Sequence, residues 1–426
     1  MFIRIRGRCR GHSIRLSVLL CGLAVAQLSQ ADALTMQEAQ ALALRQDPSV
    51  QAVEARRSAL QERAVASAQL PDPILRAGLV SLPTDSWRLG QEPMTQVQVG
   101  LSQKFPRGQS RSLQQEQVRE QALALDETVR DQRLRIALAV REDYLEVLKQ
   151  IRRGEINAEA MTAFADLADI AQDYYATGRA QQQDVLQAAV ERARAEDRKA
   201  RIAQEEDRAR ARLAAWIGTA AWDEFAREWP VMEPLPGPDL IVEALPGHPR
   251  ILSLQRQVSA AETGVELTRQ RYKPEFGLDL VYGGRGGQDP DGSARADLFS
   301  VMVVMDLPLF HKNRQDRYTA ASVAETSAAL FERDDMLRRM RSEVELHAAT
   351  LQRQQERVRV FEDALLPDAA FNADAAFEAY QAALDNVTTV VRARITEFEL
   401  QLDFVELQAE LLKTRARLRY LEGEAG

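Results

Sequence analysis

"QDYYATGRAQQQDVLQAAVE", residues 172–191, reads as one long helix interrupted at Thr177-Gly178-Arg179. Glycine takes the left-handed backbone conformation at little steric cost, so one glycine between two helical runs ends the first and turns the chain into the second. The stretch predicts the bend of a helical hairpin. Upstream, Gly108 to Ala176 holds no proline and one interior glycine, Gly154, with Leu134, Ile136, Leu138, Val140, Tyr144, Leu145 and Leu148 at mixed helical spacings. A helix over that range rises roughly 100 Å at about 1.5 Å per residue. No compact domain can hide the apolar stripe of such a helix, so it must lie along other long helices. Alanine-rich seams such as "AEAMTAFADLADIAQ" and "LQAAVERARAEDRKARIAQ" permit close approach of their axes.

The hairpin is written twice. "YATGRAQQQDVL" from Tyr175 aligns with "YQAALDNVTTVV" from Tyr380, 205 positions on, which sets Gly178 against Ala383. The same offset joins "ARLAAWIG" at Ala211 to "ARLRYLEG" at Ala416; Asp47 and His248 start a second matching pair, and Val97 and Val301 a third. Offsets that drift by only a few residues indicate a tandem duplication with small loop changes. Each half then reads as a helix, two strands, a very long helix, a short bend and a helix back. In the second half Pro367 falls inside the long helix and is expected to kink or break it.

Four stretches change period from 3.6 to 2. Val97, Val99 and Leu101 alternate with polar residues over 95–105, and Phe276, Leu278, Leu280 and Tyr282 over 275–282. Phe299, Val301, Val303, Met305, Leu307 and Leu309 do so over 299–309, and Leu75, Ala77 and Leu79, more weakly, over 74–82. Their lengths suit tilted membrane strands of about 9–11 residues, and "PTDSWRLGQEPM" and "GRGGQDPDGSARAD" are polar turn-formers suited to external loops. In lipid every backbone donor and acceptor must be paired, so four strands with bare edges require other chains to complete a cylinder. Two chains would give eight strands and three would give twelve. A small soluble β-domain packed on helices is the competing reading.

Of the 426 residues, 45% are hydrophobic and 28% charged, with Ala, Arg, Glu and Gln favouring helix. A formal net charge of −8 argues against nucleic acid, which needs a basic face. Residues 1–33 differ: Arg4, Arg6, Arg8, Arg10 and Arg15 precede the apolar run "LSVLLCGLAVA", and Ala31-Asp32-Ala33 supplies a cleavage site, so a secretory signal peptide is expected. The run is too short to span about 30 Å of hydrocarbon, and Leu20 is bulky for lipidation at Cys21. Cleavage after Ala33 would remove Cys9 and Cys21, leaving no thiol chemistry, and would move the net charge to −12 by removing those five arginines and Asp32.

The paired "Y-x-x-G-x-x-x-x-x-DVL" bend at Tyr175 to Leu186 and its counterpart from Tyr380, the "ARLAAWIG" ending and the twice-repeated element order are similar to TolC-like outer-membrane efflux factors. "AQLPDPILRAGLVSLPTD" from Ala68, "MTQVQVGLSQKFPRG" from Met94 and "LPLFHKNRQ" from Leu307 resemble the CusC- and CzcC-like branch serving heavy-metal exporters. The resemblance implies a mainly α fold with a small β part. In it a homotrimer forms a 12-stranded outer-membrane barrel continued by a 12-helix periplasmic tunnel. It also implies two partners beside outer-membrane lipid, a periplasmic membrane-fusion adaptor and an inner-membrane pump of the resistance-nodulation-division class. The expected divisions are a signal peptide (1–33), helical segments at 34–73 and 248–273, membrane strand pairs at 74–106 and 274–310, long hairpins at 107–218 and 311–423, an equatorial segment at 219–247 and a tail at 424–426.

On this resemblance Thr177, Gly178, Arg179 and Ala180, with Ala383, Leu384, Asp385 and Asn386, are the adaptor-docking tips, and Val97, Val99, Leu101, Phe276, Leu278, Leu280, Val301, Val303 and Met305 face lipid. Relatives often close the periplasmic mouth with aspartate rings after the second tip. Here the matching positions hold Thr389 and Arg392, with Asp184 a weak substitute, so a carboxylate gate is not supported. Other cargoes, drugs or proteins in type I secretion, suit the same fold, and a non-transporting periplasmic coiled-coil scaffold is the alternative of another class. His248, His311 and His347 are too scattered for a metal site, and no Walker loop, nucleophile elbow, paired-carboxylate signature or CxxC is present. Neither a cofactor nor an enzymatic activity is expected.

Overall fold

A computed structural model describes residues 33–45, 47–382 and 384–423. The expected signal peptide up to residue 32, the tip residue Ala383 and the tail at 424–426 lie outside the described residues. In order the chain forms α1 (Met36–Arg45), α2 (Pro48–Ser67), β1 (Ile74–Val80), β2 (Gln96–Phe105), α3 (Ser110–Ala176), α4 (Gln182–Ile217), α5 (Pro238–Ala244), α6 (Pro249–Arg269), β3 (Phe276–Gly284), β4 (Leu298–Met305), α7 (Gln315–Val360), α8 (Leu366–Gln381) and α9 (Val387–Glu422). At 67 residues, α3 is about 100 Å long. No helix among the described residues is long and apolar enough to cross a membrane.

The duplication reaches the helix caps. α2 and α6 both open on proline, whose missing N–H costs nothing in the first turn. Each is preceded by a capping side chain. Asp47 Oδ1 accepts from the Ser49 and Val50 amides at 2.8 and 3.2 Å, and His248 Nδ1 accepts from the Arg250 amide at 3.2 Å. With Nδ1 accepting, the proton sits on His248 Nε2, which donates to the Tyr420 carbonyl at 2.9 Å. Burial lowers the pKa of this imidazole, outweighing the opposing effect of the Tyr420 bond.

Pro367 interrupts the α-helical ladder of the second long helix, as expected. Between α7 and α8, Phe361–Leu365 forms a single π turn. Proline has no N–H for the Asp363 carbonyl and its ring crowds that oxygen, and a wider turn accommodates both. The helix continues beyond it.

The strands form one antiparallel sheet in the order β1-β2-β3-β4. The central β2–β3 pair, with Leu101 opposite Leu280 and Phe105 opposite Phe276, joins the two halves of the repeat. The alternation in the sequence continues to Leu309, but β4 stops at Met305. There the Asp306 amide bonds the Glu275 carbonyl at 3.2 Å, and Pro308 two residues on has no donor for a ladder.

Apolar packing runs along the helices as a chain of clusters. Tyr144, Val140 and Leu148 of α3 meet Ala39 and Ala43 of α1, Leu213 of α4 and Phe225. Ile241 of α5, Met340 and Val344 of α7 and Leu418 of α9 form another. Further along, Phe164 and Phe398 meet edge-on with centroids 6.0 Å apart. Between α3 and α4 the seam is built of alanines, and buried Asn157 donates through Nδ2 to the Ala195 carbonyl at 2.9 Å. A buried polar bond of this kind fixes the register of two otherwise slippery helices. The irregular stretch after α4 is anchored by the Leu34 amide, 2.7 Å from the Glu224 carbonyl, and by the Tyr144 hydroxyl donating to Leu34 O at 2.9 Å.

Candidate functional site

The sheet has two unlike faces. Cross-strand register places Leu79 beside Val97, Val99 beside Tyr282, Leu101 beside Leu280, Leu280 beside Val301 and Leu278 beside Val303, so all of these side chains share one face. Phe276 and Met305 end it. Val97, Val99, Leu101, Phe276, Val301, Val303 and Met305 are exposed, Val303 at 68%, whereas Leu278 and Leu280 on inner strand β3 are partly covered by their neighbours. Leu75, Tyr282 and Phe299 extend the face, at 71%, 50% and 67% exposure. The opposite face is mixed: Arg76, Gln98, Ser102, Lys104 and Asp279 lie around a shallow concavity together with Val80, Val281, Met302 and Val304. A contiguous apolar face this open needs a partner or a bilayer. The outer edges of β1 and β4 have no partner strand among the described residues.

The first bend closes as a Schellman motif. The Arg179 amide reaches back to the Tyr174 carbonyl at 2.7 Å and the Gly178 amide to the Tyr175 carbonyl at 3.0 Å, with Gly178 at φ +72°. An added Cβ on Gly178 would meet nothing within 4 Å, so backbone conformation alone demands glycine. α4 then starts with a capping box in which the Asp184 carboxylate accepts from the Gln181 amide at 2.9 Å. Thr177, Gly178 and Arg179 are exposed and Ala180 partly so.

The second bend reproduces the long return bond without a glycine. The Leu384 amide bonds the Ala379 carbonyl at 2.9 Å, the same span as Arg179 to Tyr174. α9 is capped by Asn386, whose side chain accepts from the Thr389 amide at 3.1 Å, while the Thr389 hydroxyl donates to Asp385 at 2.9 Å. Leu384 is 82% exposed. The two bends sit side by side. The Tyr174 and Tyr380 rings pack with centroids 5.4 Å apart, and the Thr388 hydroxyl donates to Gln187 at 3.0 Å.

Asp184 thus belongs to the α4 capping box and Thr389 donates to the Asn386 cap and to Asp385, while Arg392, just past the first turn of α9, is exposed. The chain brings them near one end but into no ring by itself. Among the described residues no group of three or more His, Cys, Asp or Glu could hold a metal ion.

A charged cluster between α3 and α9 escaped the sequence reading. Glu146 accepts from Lys413 at 2.7 Å, and Lys149 lies 3.0 Å from Glu146 and 3.1 Å from Glu406. Burial pushes the Glu146 carboxyl upward, but hydrogen bonds from Lys413 and Lys149 outweigh it and hold the pKa down to about 2.

No curated protein matches the sequence significantly. Solved structures do match the fold. CusC, described for the conformational changes accompanying folding and transmembrane channel formation, superposes with a TM-score of 0.77 at 14% identity, over 91% of this chain and 92% of that one. VceC, an outer membrane protein of Vibrio cholerae, gives 0.76 at 18% identity over 91% and 96%. The outer membrane channel CmeC of Campylobacter jejuni gives 0.74 at 12% over 91% and 85%. Such identities establish the architecture and leave substrate aside. The sequence itself matches one family across both halves of the repeat, at residues 40–219 and 240–424, and the chain therefore belongs to the outer membrane efflux protein family.

Proposed function

We propose that three copies of this chain close a 12-stranded barrel, each contributing the sheet β1–β4, and that the long helices continue it as a tunnel through the periplasm. The assembly is a passive duct of a tripartite efflux system. The observation that carries this reading is the sheet: one face apolar and open, the other mixed, with Arg76, Gln98, Ser102, Lys104 and Asp279 among Val80, Val281, Met302 and Val304, both edges without a partner strand among the described residues, and every strand running into a helix. An open sheet is untenable in hydrocarbon, and closure with other copies pairs every strand. Family membership places the chain in the outer membrane and supports a transport role rather than an enzymatic one.

The paired bends, Thr177 to Ala180 and Leu384 to Asn386 with Ala383 between α8 and Leu384, dock a periplasmic adaptor that bridges to an inner-membrane pump of the resistance-nodulation-division class. At the mouth the positions Asp184, Thr389 and Arg392 close by packing and polar contact, not through a carboxylate ring. Heavy-metal cations are the proposed cargo, supported by the resemblance of the stretches from Ala68, Met94 and Leu307 to ducts of metal exporters. Deleting the gene tests the cargo: tolerance to divalent and monovalent heavy-metal ions should fall several-fold and return on complementation, with drug tolerance unchanged. Loss of drug tolerance instead would assign the duct to drugs.

A further inference from the structure

The sheet repeats itself, and the repeat dictates how one open edge fits the other. β1 and β2 pair with Leu75 opposite Leu101, Ala77 opposite Val99 and Leu79 opposite Val97. β3 and β4 pair with Phe276 opposite Met305, Leu278 opposite Val303 and Leu280 opposite Val301. The second set is the first moved on by 201 positions in β1 and 204 in β2, the same steps that carry Asp47 to His248 and Val97 to Val301. β3 is therefore a second β1, and β4 a second β2. The junction between the halves, β2 with β3, sets Phe105 opposite Phe276, Gln103 opposite Leu278 and Leu101 opposite Leu280. Advancing β2 and returning β3 by the same steps turns this into a junction of β4 with β1, which the chain does not make with itself. It sets Leu309 opposite Leu75, Leu307 opposite Ala77 and Met305 opposite Leu79.

The two edges agree with that register. Leu75, Ala77 and Leu79 of β1 and Met305, Leu307 and Leu309 in and after β4 all fall on the apolar face, whereas a slip of one residue would set apolar against mixed. The donors agree as well. The Asp306 amide bonds the Glu275 carbonyl at 3.2 Å and so points at β3; because donors alternate along a strand, those of Met305 and Leu307 point at the open edge. Pro308 lacks only the donor that would point at β3. It releases the chain from β3 and leaves the open edge able to pair. Past β4, Leu307 and Leu309 are 60% and 68% exposed, and the Leu309 amide closes a tight turn on the Leu307 carbonyl at 2.9 Å. On the mixed face Arg76, which has no ion pair among the described residues, comes one diagonal step from Asp306, within reach of a long side chain.

We infer that β4 of one copy pairs antiparallel with β1 of the next in this register, and that β4 lengthens to Leu309 as the tight turn opens. The inference rests on the proposed closure of the sheet by copies of this chain.

Cysteine pairs test it in the full chain, whose own cysteines are Cys9 and Cys21. Opposed residues on antiparallel strands have Cα atoms about 4.5–5.5 Å apart, within disulfide reach, and a shift of two residues takes them beyond it. Ala77→Cys with Leu307→Cys, oxidised in outer-membrane fragments, should shift the boiled, non-reduced band from one chain to three, and reduction should reverse the shift. Leu75→Cys with Leu309→Cys should do the same, and decides the matter if the first pair fails to reach the membrane. Each single variant, and Ala77→Cys with Met305→Cys or Leu309→Cys, should stay at one chain. Cross-linking of a shifted pair in place of the matched ones would overturn the register and leave closure by copies intact. Trimers that heat separates and no pair cross-links would overturn the pairing of these two edges. A bond from either edge to a different protein would give that edge to another partner and overturn the inference. A single chain throughout, before heating and after oxidation, would overturn the closure reading as well.

Discussion

The rings of Tyr174 and Tyr380 pack at 5.4 Å and 43°, joining the ends of two helical hairpins whose bends lie 205 positions apart in the sequence. Around them Leu167, Ala188, Ala373, Val387 and Val391 form a small buried cluster, so the bends belong to one body. The Tyr380 hydroxyl is buried with no hydrogen-bond partner. Tyr380→Phe should therefore be neutral or slightly stabilising, because an unsatisfied polar group is lost. Tyr380→Ala should cost about 3 kcal/mol through the cavity it leaves. Limited proteolysis at the bends reads the difference: the Phe variant should resist like the parent and the Ala variant should be cut.

Gly178 is required by its φ of +72° and not by crowding. Gly178→Ala should cost about 1–2 kcal/mol locally. Gly178→Pro forces φ to about −65° and removes the amide that bonds Tyr175. Adaptor binding measured on purified components should weaken for the proline variant while trimers still form in the membrane; loss of trimers would make the bend a folding element.

The caps predict a separation of roles. Asn386→Ala removes the acceptor for the Thr389 amide and should cost about 1 kcal/mol. Asp184→Ala likewise opens the capping box at Gln181. The two variants should raise hydrogen exchange in the first turns of α9 and α4 respectively, and Asn386→Ala should leave single-channel conductance as it is.

Acid should reach the α3–α9 contact through Glu146. Its folded pKa of about 2 lies below the ordinary 4.5, so its stabilisation is present above pH 4.5 and is lost as pH falls from there toward 2. With only 18% of the side chain exposed, that loss is up to about 3 kcal/mol. Unfolding followed against pH should show an acid limb in this window, and Glu146→Gln should flatten it while lowering stability at neutral pH.

The bend at Gly178 and the strand faces were legible because each depends on local chemistry: one residue type tolerates positive φ, and a period of two sorts side chains by face. Contacts between hairpins were not. The repeat sets Tyr175 against Tyr380, yet Tyr174 makes the contact and Tyr175 is 45% exposed, because the crossing of α3 over the second hairpin chooses the residue. Glu146 with Lys149 and Glu410 with Lys413 look in sequence like ordinary surface pairs three apart. Packing of α3 on α9 fuses them into one half-buried cluster. That Asp184 closes a capping box and that the Thr389 amide donates to the Asn386 cap was not legible, because these bonds depend on where each helix starts. The break at Pro367 was legible from the proline itself, whereas its form, a π turn, was not.

The central claim is closure of the sheet by other copies, and the mass of the protein extracted from outer membranes tests it most directly. Light scattering in detergent should find three chains per particle, with heat needed to separate them on a gel. A single chain, stable and freely dissolved in buffer without detergent, would contradict the account.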